Sequence, residues 1–181
     1  MSLIALGAAA VLFGQTWVPA PQYTETEVAR LEGCVFGGDD MAKCGDFSRD
    51  VAALETCAAR ADLSGGEGKF LDAWSECDFA LPCMLEKPGP NDDVPLVLRN
   101  CSVRGVAAAK IIAGRWVAEF EPRMTPDERA LLVQIRKRIG EGLEIPTASD
   151  DPLMASARWS GTWTSYLMFL RIVQLTGKAA L

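Results

Sequence analysis

The residues of this 181-residue chain best placed to do chemistry are six cysteines: Cys34, Cys44, Cys57, Cys77, Cys83 and Cys101. They are spaced 10, 13, 20, 6 and 18 apart, no two form a CxxC, and the chain contains no histidine. A structural zinc site would need four of these thiolates at short paired spacings, which the set lacks. Reduced, buried thiols in a cytosolic protein are a competing reading, because cysteine packs well in cores. An even, dispersed set behind an export-like N-terminus reads instead as three disulfides formed in an oxidising compartment, periplasmic or secreted. Each bridge restricts the unfolded chain and stabilises the fold by about 2–4 kcal/mol. Roughly 15 pairings are open to six cysteines, and spacing alone selects none of them. Cys34 and Cys44 make one Cx9C, half of the paired pattern found in helical-hairpin disulfide proteins.

Other chemistry is sparsely equipped. Without histidine there is no Ser-His or Cys-His pair, no imidazole general base and no ordinary catalytic zinc site. No GxGxxG before a helix, no P-loop and no GxSxG is present. Asp39 and Asp40 lack the alternating oxygen ligands of a calcium loop. Asp127 and Glu128 are more simply the acids of a helix first turn. These features point to a non-enzymatic protein with no cofactor and no bound metal. The net charge of −6 and pI near 4.8 argue against a nucleic-acid partner, which needs a basic surface to displace counterions. The same charge would steer a basic protein partner.

The elements that must position these residues are helical. Residues 1–20 read as a signal peptide, with an 11-residue apolar run over 3–13 and Val18-Pro19-Ala20 as the cleavage region. An uncleaved N-terminal anchor is the rival, and only then would a membrane be a partner. Thr24-x-x-Glu27 is a capping box that opens a first helix. Asp46 or Ser48 caps a second carrying Cys57, and residues from Glu67 give a short third carrying Cys77. The turn formers of 87–93 separate these from a helix that starts near Pro95 and stops before Pro122. In that helix Gly105 and Gly114 each cost about 1 kcal/mol relative to alanine unless close packing needs them. Thr125-Pro126-Asp127-Glu128 starts the next helix, and Asp151-Pro152 starts the last, running to about residue 176.

That last helix carries no charge from 159 to 170. It offers more apolar surface than one packing face requires. Leu167 and Leu170 are expected in the core and Arg171 at the rim. Trp159, Trp163 and Phe169 are the candidate contact residues, Phe169 being the aromatic expected to be most exposed. No stretch alternates as a strand does, and there is no internal repeat. The expected fold is an all-α, disulfide-stapled domain of about five to six helices over residues 21–181. It divides into a cysteine-bearing subregion, 34–101, and a three-helix unit, 95–176.

Arg115-Trp116, followed by Met124-Thr125-Pro126-Asp127-Glu128-Arg129-Ala130-Leu131-Leu132, resembles part of the LprI-like lysozyme-inhibitor family of secreted bacterial proteins. The resemblance covers residues 95–140. Where that family has a Gln-Arg-x-Trp run, this chain has Arg136-Lys137-Arg138-Ile139, and no cysteine follows Cys101. The resemblance implies a small, exported, cysteine-bearing helical protein that inhibits a lysozyme, and it carries over no binding residue. The expected function is therefore an exported, non-enzymatic binding module acting on an envelope or extracellular protein. The alternative is an accessory subunit of a membrane protein complex held by its N-terminal apolar segment.

Overall fold

The computed structural model describes residues 18–37, 40–141 and 152–176. Among them are six α-helices: α1 (Glu25–Gly37), α2 (Ser48–Arg60), α3 (Glu67–Ser75), α4 (Val94–Phe120), α5 (Pro126–Glu141) and α6 (Pro152–Thr176). The fold is all-α and stapled by three disulfides, Cys34–Cys44, Cys57–Cys77 and Cys83–Cys101. Each cysteine pairs with the next one along the chain. Such bridges belong to an oxidising, extracellular type of environment.

Local chemistry accounts for the helix ends. At α1 the Glu27 carboxylate accepts the Thr24 amide at 2.9 Å, and the Thr24 hydroxyl accepts the Glu27 amide at 3.3 Å. The same reciprocal box opens α5, where Glu128 accepts the Thr125 amide at 2.8 Å and Thr125 accepts that of Glu128 at 3.3 Å. Two orphan amides are satisfied each time. The carboxylate of Asp93 caps α4 by accepting the Leu96 amide at 3.1 Å. The start of α2 differs from expectation. Its N-cap is Phe47, which makes no side-chain cap. Asp46 instead folds back to accept the Ser48 amide at 2.9 Å, a turn that delivers Phe47 into the core. Gly66 precedes α3 at φ 87°, in the left-handed region where a side chain would be strained.

The hub is α4, against which α1, α2 and α6 all pack. Fifteen of its 27 residues are buried, so it is enclosed on most sides. Ala107, Ala108, Ala109 and Ala113 keep its surface thin and let neighbouring helices approach closely. On α6 the buried residues among those described are Trp163, Tyr166, Leu167, Leu170 and Val173, one stripe at helical spacing. Leu167 and Leu170 are fully enclosed. One continuous core runs from Val35 of α1 to Val173 of α6, and it spans both the 34–101 and the 95–176 regions. Leu81, Cys83 and Cys101 form a small separate cluster.

Charged residues on α4 are tied down rather than solvated. The Arg99 guanidinium, 8% exposed, donates to Glu32 at 3.1 and 2.7 Å and to Glu25 at 2.7 Å. Arg104 pairs with the buried Asp50, donates to the Asp46 carbonyl at 3.1 Å and stacks 5.4 Å from the Phe47 ring centre. These contacts fix α1 and the start of α2 to the hub.

A two-residue parallel pair, β1 (Val18–Pro19) with β2 (Glu86–Lys87), was not foreseen, because two residues are too short to alternate. The Ala20 amide donates to the Lys87 carbonyl at 3.1 Å, and the Tyr23 hydroxyl donates to the Glu86 carboxylate at 3.2 Å. The proposed cleavage region 18–20 is thus hydrogen-bonded into the fold, while residues 1–17 lie outside those described. No helix among the described residues is long and apolar enough to cross a membrane.

The two α4 glycines separate cleanly. A Cβ on Gly114 would meet nothing within 4 Å, whereas one on Gly105 would lie 2.8 Å from Leu81 Cδ1. Leu81 is itself buried beside the Cys83–Cys101 bridge and has little room to move. Gly114→Ala is therefore expected to stabilise the protein by about 0.5–1 kcal/mol, the helix-propensity gain. Gly105→Ala is expected to forfeit that gain. Urea midpoints that rise equally for both variants would show that Leu81 imposes no constraint.

Candidate functional site

A cleft of about 910 Å3 opens between the 40–48 segment, α4 and α6, with α5 at its edge. Its outer wall is built by local turns. The Asp40 carboxylate accepts the Ala42 amide at 3.2 Å and starts a 3-10 turn, Met41–Lys43. The Cys34–Cys44 bridge ties this turn to the end of α1, and the Asp46 turn then leads into α2. Met41, Phe47 and Val51 give this wall an apolar inner face. The α4 side is hollowed by the short side chains of Ala113, Gly114 and Ala118. From α6 come Trp163 and Tyr166, edge to face with ring centres 5.7 Å apart.

Three cations line the cleft: Lys110, Arg115 and Arg136. Lys110 donates to the Val35 carbonyl at 2.6 Å, with its ammonium 5.7 Å from the Trp163 ring centre, a cation–π placement. Arg115 pairs with Glu55 at 2.7 Å. Arg136 makes no ion pair among the described residues. The acids of the cleft are Asp40, Asp46 and Glu121. Asp40 pairs with Lys43 at 3.3 Å, and the Ser48 amide holds the Asp46 carboxyl below the usual range.

Two donors on the wall of this cleft lack acceptors among the described residues. The Trp163 indole N–H is buried and finds none among the described residues. Tyr166 is 3% exposed, and burial pushes its phenol pKa up, offset in part by the nearby positive charge of Arg136. No hydrogen bond among the described residues acts on that hydroxyl. A buried donor without a partner costs about 1–3 kcal/mol, so an acceptor for the Trp163 N–H would be favoured here. Mixed apolar and polar lining with a few convergent donors is the chemistry of a binding pocket of ordinary size. No group of three or more cysteines and carboxylates that could hold a metal occurs among the described residues.

The candidate contact residues fall in different places. Trp163 lines the cleft but is only 9% exposed, so it forms part of the wall rather than an outward anchor. Its position one turn before Tyr166, on the stripe facing α4, is the reason. Phe169 is half-buried, packs on the main core and does not line the cleft. The Trp159 side chain lies outside the described residues. Arg171 is half-buried at the rim, donating to the Ala61 carbonyl at 3.3 Å and to Gln174 at 2.7 Å. All six cysteines are bridged. Lys110 and Arg136 were not singled out as site residues by sequence. The Trp163/Tyr166 spacing of three was the one visible signal that an aromatic pair shares a face.

No protein-family model, curated protein sequence or solved structure matches the chain.

Proposed function

We propose that the protein is an exported, non-enzymatic binding module that engages an envelope or extracellular protein through the cleft between the 40–48 segment, α4 and α6. The observation that carries this reading is the cleft itself, walled by a disulfide-held turn and floored by Trp163 and Tyr166, the Trp163 N–H having no acceptor among the described residues. Three disulfides support a site of action in an oxidising compartment. The net charge of −6 supports a basic partner, since complementary fields speed encounter. A lysozyme is the partner class implied by the resemblance of residues 95–140.

The expected result is that the purified, oxidised protein slows lysozyme lysis of a cell-wall suspension in proportion to its concentration. Gly114→Trp, which fills the cleft from an open position, should restore lysis without lowering the melting temperature. Undiminished lysis rules out lysozyme. A photo-crosslinker placed at Ala118 in the cleft, with Val133 on α5 as control, then tests for any protein partner there. Equal labelling from both positions would overturn the cleft as the binding surface.

The alternative, an accessory subunit held at a membrane, draws support from the β1–β2 pair. It brings the chain into the folded body at Val18, directly after the apolar segment. An intact N-terminus in a membrane pellet would favour it; a soluble chain beginning near Pro21 would exclude it.

A further inference from the structure

We infer that the cleft recognises a carboxylate presented by a peptide segment of its partner. This rests on the reading of the cleft as the binding surface and adds the chemistry of what enters it. In a chain with 24 acids against 18 basic residues, this hollow gathers three cations, beside three acids, around an aromatic floor. Two of those cations already have partners, Lys110 with the Val35 carbonyl and Arg115 with Glu55. Arg136 has no ion pair among the described residues, and its field reaches the Tyr166 phenol.

Tyr166 supplies the second half of the argument. Its ring is buried against Trp163, and its hydroxyl has no hydrogen bond among the described residues. The Trp163 indole N–H lacks an acceptor in the same wall. A guanidinium and two aromatic donors, without acceptors among the described residues, are complementary to an anionic group with several lone pairs. A carboxylate meets that description, and charge-assisted bonds from arginine to a carboxylate are among the strongest available. The apolar residues below, Phe47 and Val51, suit an aliphatic or aromatic body attached to it. Glu121 also lines the cleft without an ion pair among the described residues, so a second, cationic point on the same segment is compatible. Of the two aspartates of the wall, Asp40 is paired with Lys43 and Asp46 accepts the Ser48 amide.

The test compares three peptides by calorimetry at low salt, using the full oxidised protein. They are N-acetyl-Ala-Ala-Phe as the free acid, the same peptide as its C-terminal amide, and N-acetyl-Ala-Glu-Phe amide. At least one carboxylate peptide is expected to bind about tenfold or more tightly than the uncharged amide. The free acid alone binding tightly assigns a chain terminus; both binding tightly assigns any carboxylate; the glutamyl peptide alone assigns a side chain. Arg136→Gln, at an exposed position, and Tyr166→Phe, which removes only the hydroxyl, should each shrink the gap between carboxylate and amide. Their melting temperatures check that the fold is kept. Equal binding of all three peptides, no binding at millimolar concentration, or a gap unchanged in both variants would overturn the inference. None of those failures touches the lysis and crosslinking results, which need no carboxylate.

Discussion

Leu167→Ala is expected to lower the free energy of unfolding by about 2–5 kcal/mol, the range for emptying a well-packed core site. Leu167 is fully enclosed midway along α6, on the stripe that packs against α4. Surrounding atoms are constrained by α4, whose buried alanines have no longer side chain to swing into the space. The loss should therefore sit in the upper part of that range, with the urea midpoint falling and the m-value unchanged. Phe169→Ala is the comparison. Phe169 is half-buried, so a smaller part of its ring is returned to water and less of a cavity is left. If Phe169→Ala costs as much as Leu167→Ala, both sides of α6 are core and Phe169 is withdrawn as a contact residue. Near-silence at Phe169 leaves it open as part of a surface.

The helical class and most helix ends were legible because they depend on neighbours in sequence. Thr24 with Glu27, Thr125 with Glu128, and Asp93 ahead of Pro95 are each decided within four residues. What sequence could not reveal is the hub. Alanine does not announce burial, and Arg99, Arg104 and Lys110 make α4 look solvated on several sides. Each of those charges finds a distant partner: Glu25 and Glu32, Asp50, and the Val35 carbonyl. Partners more than 50 residues away leave no periodic trace. The apolar α6 drew attention instead, and there the reading of Leu167 and Leu170 as core matches the structure.

The cleft was less legible still, because it is made of what is missing. Ala113, Gly114 and Ala118 create space on α4, and Gly114 reads from sequence only as a weak helix position. Arg136 lies in a basic run that suits a helix C-terminus, which hides any second role. Disulfide pairing was equally hidden, since spacing permits every combination and only packing selects one.

The bridges divide the work of stability and of site shape, and removing them should separate the two. Cys57 and Cys77 are 1% and 0% exposed and join α2 to the turn after α3 across 20 residues. Restricting a loop of that size stabilises by roughly 3 kcal/mol through the unfolded chain. Cys57→Ala/Cys77→Ala should lose about that much, plus a further contribution from the two buried sulfurs. Its folded fraction should still bind a cleft ligand, because neither cysteine lines the cleft. Cys34–Cys44 closes a shorter loop of 10 residues, so its chain-entropy contribution is smaller. It nevertheless anchors the turn that forms the outer wall, and Met41 and Phe47 reach the core from that wall. Cys34→Ala/Cys44→Ala should therefore be the milder variant in guanidinium unfolding and the more damaging one in peptide titration below the transition. The order matters more than either magnitude. If the Cys34/Cys44 variant binds with unchanged affinity, the wall is held by Met41 and Phe47 packing alone, and the bridge serves stability like the other two.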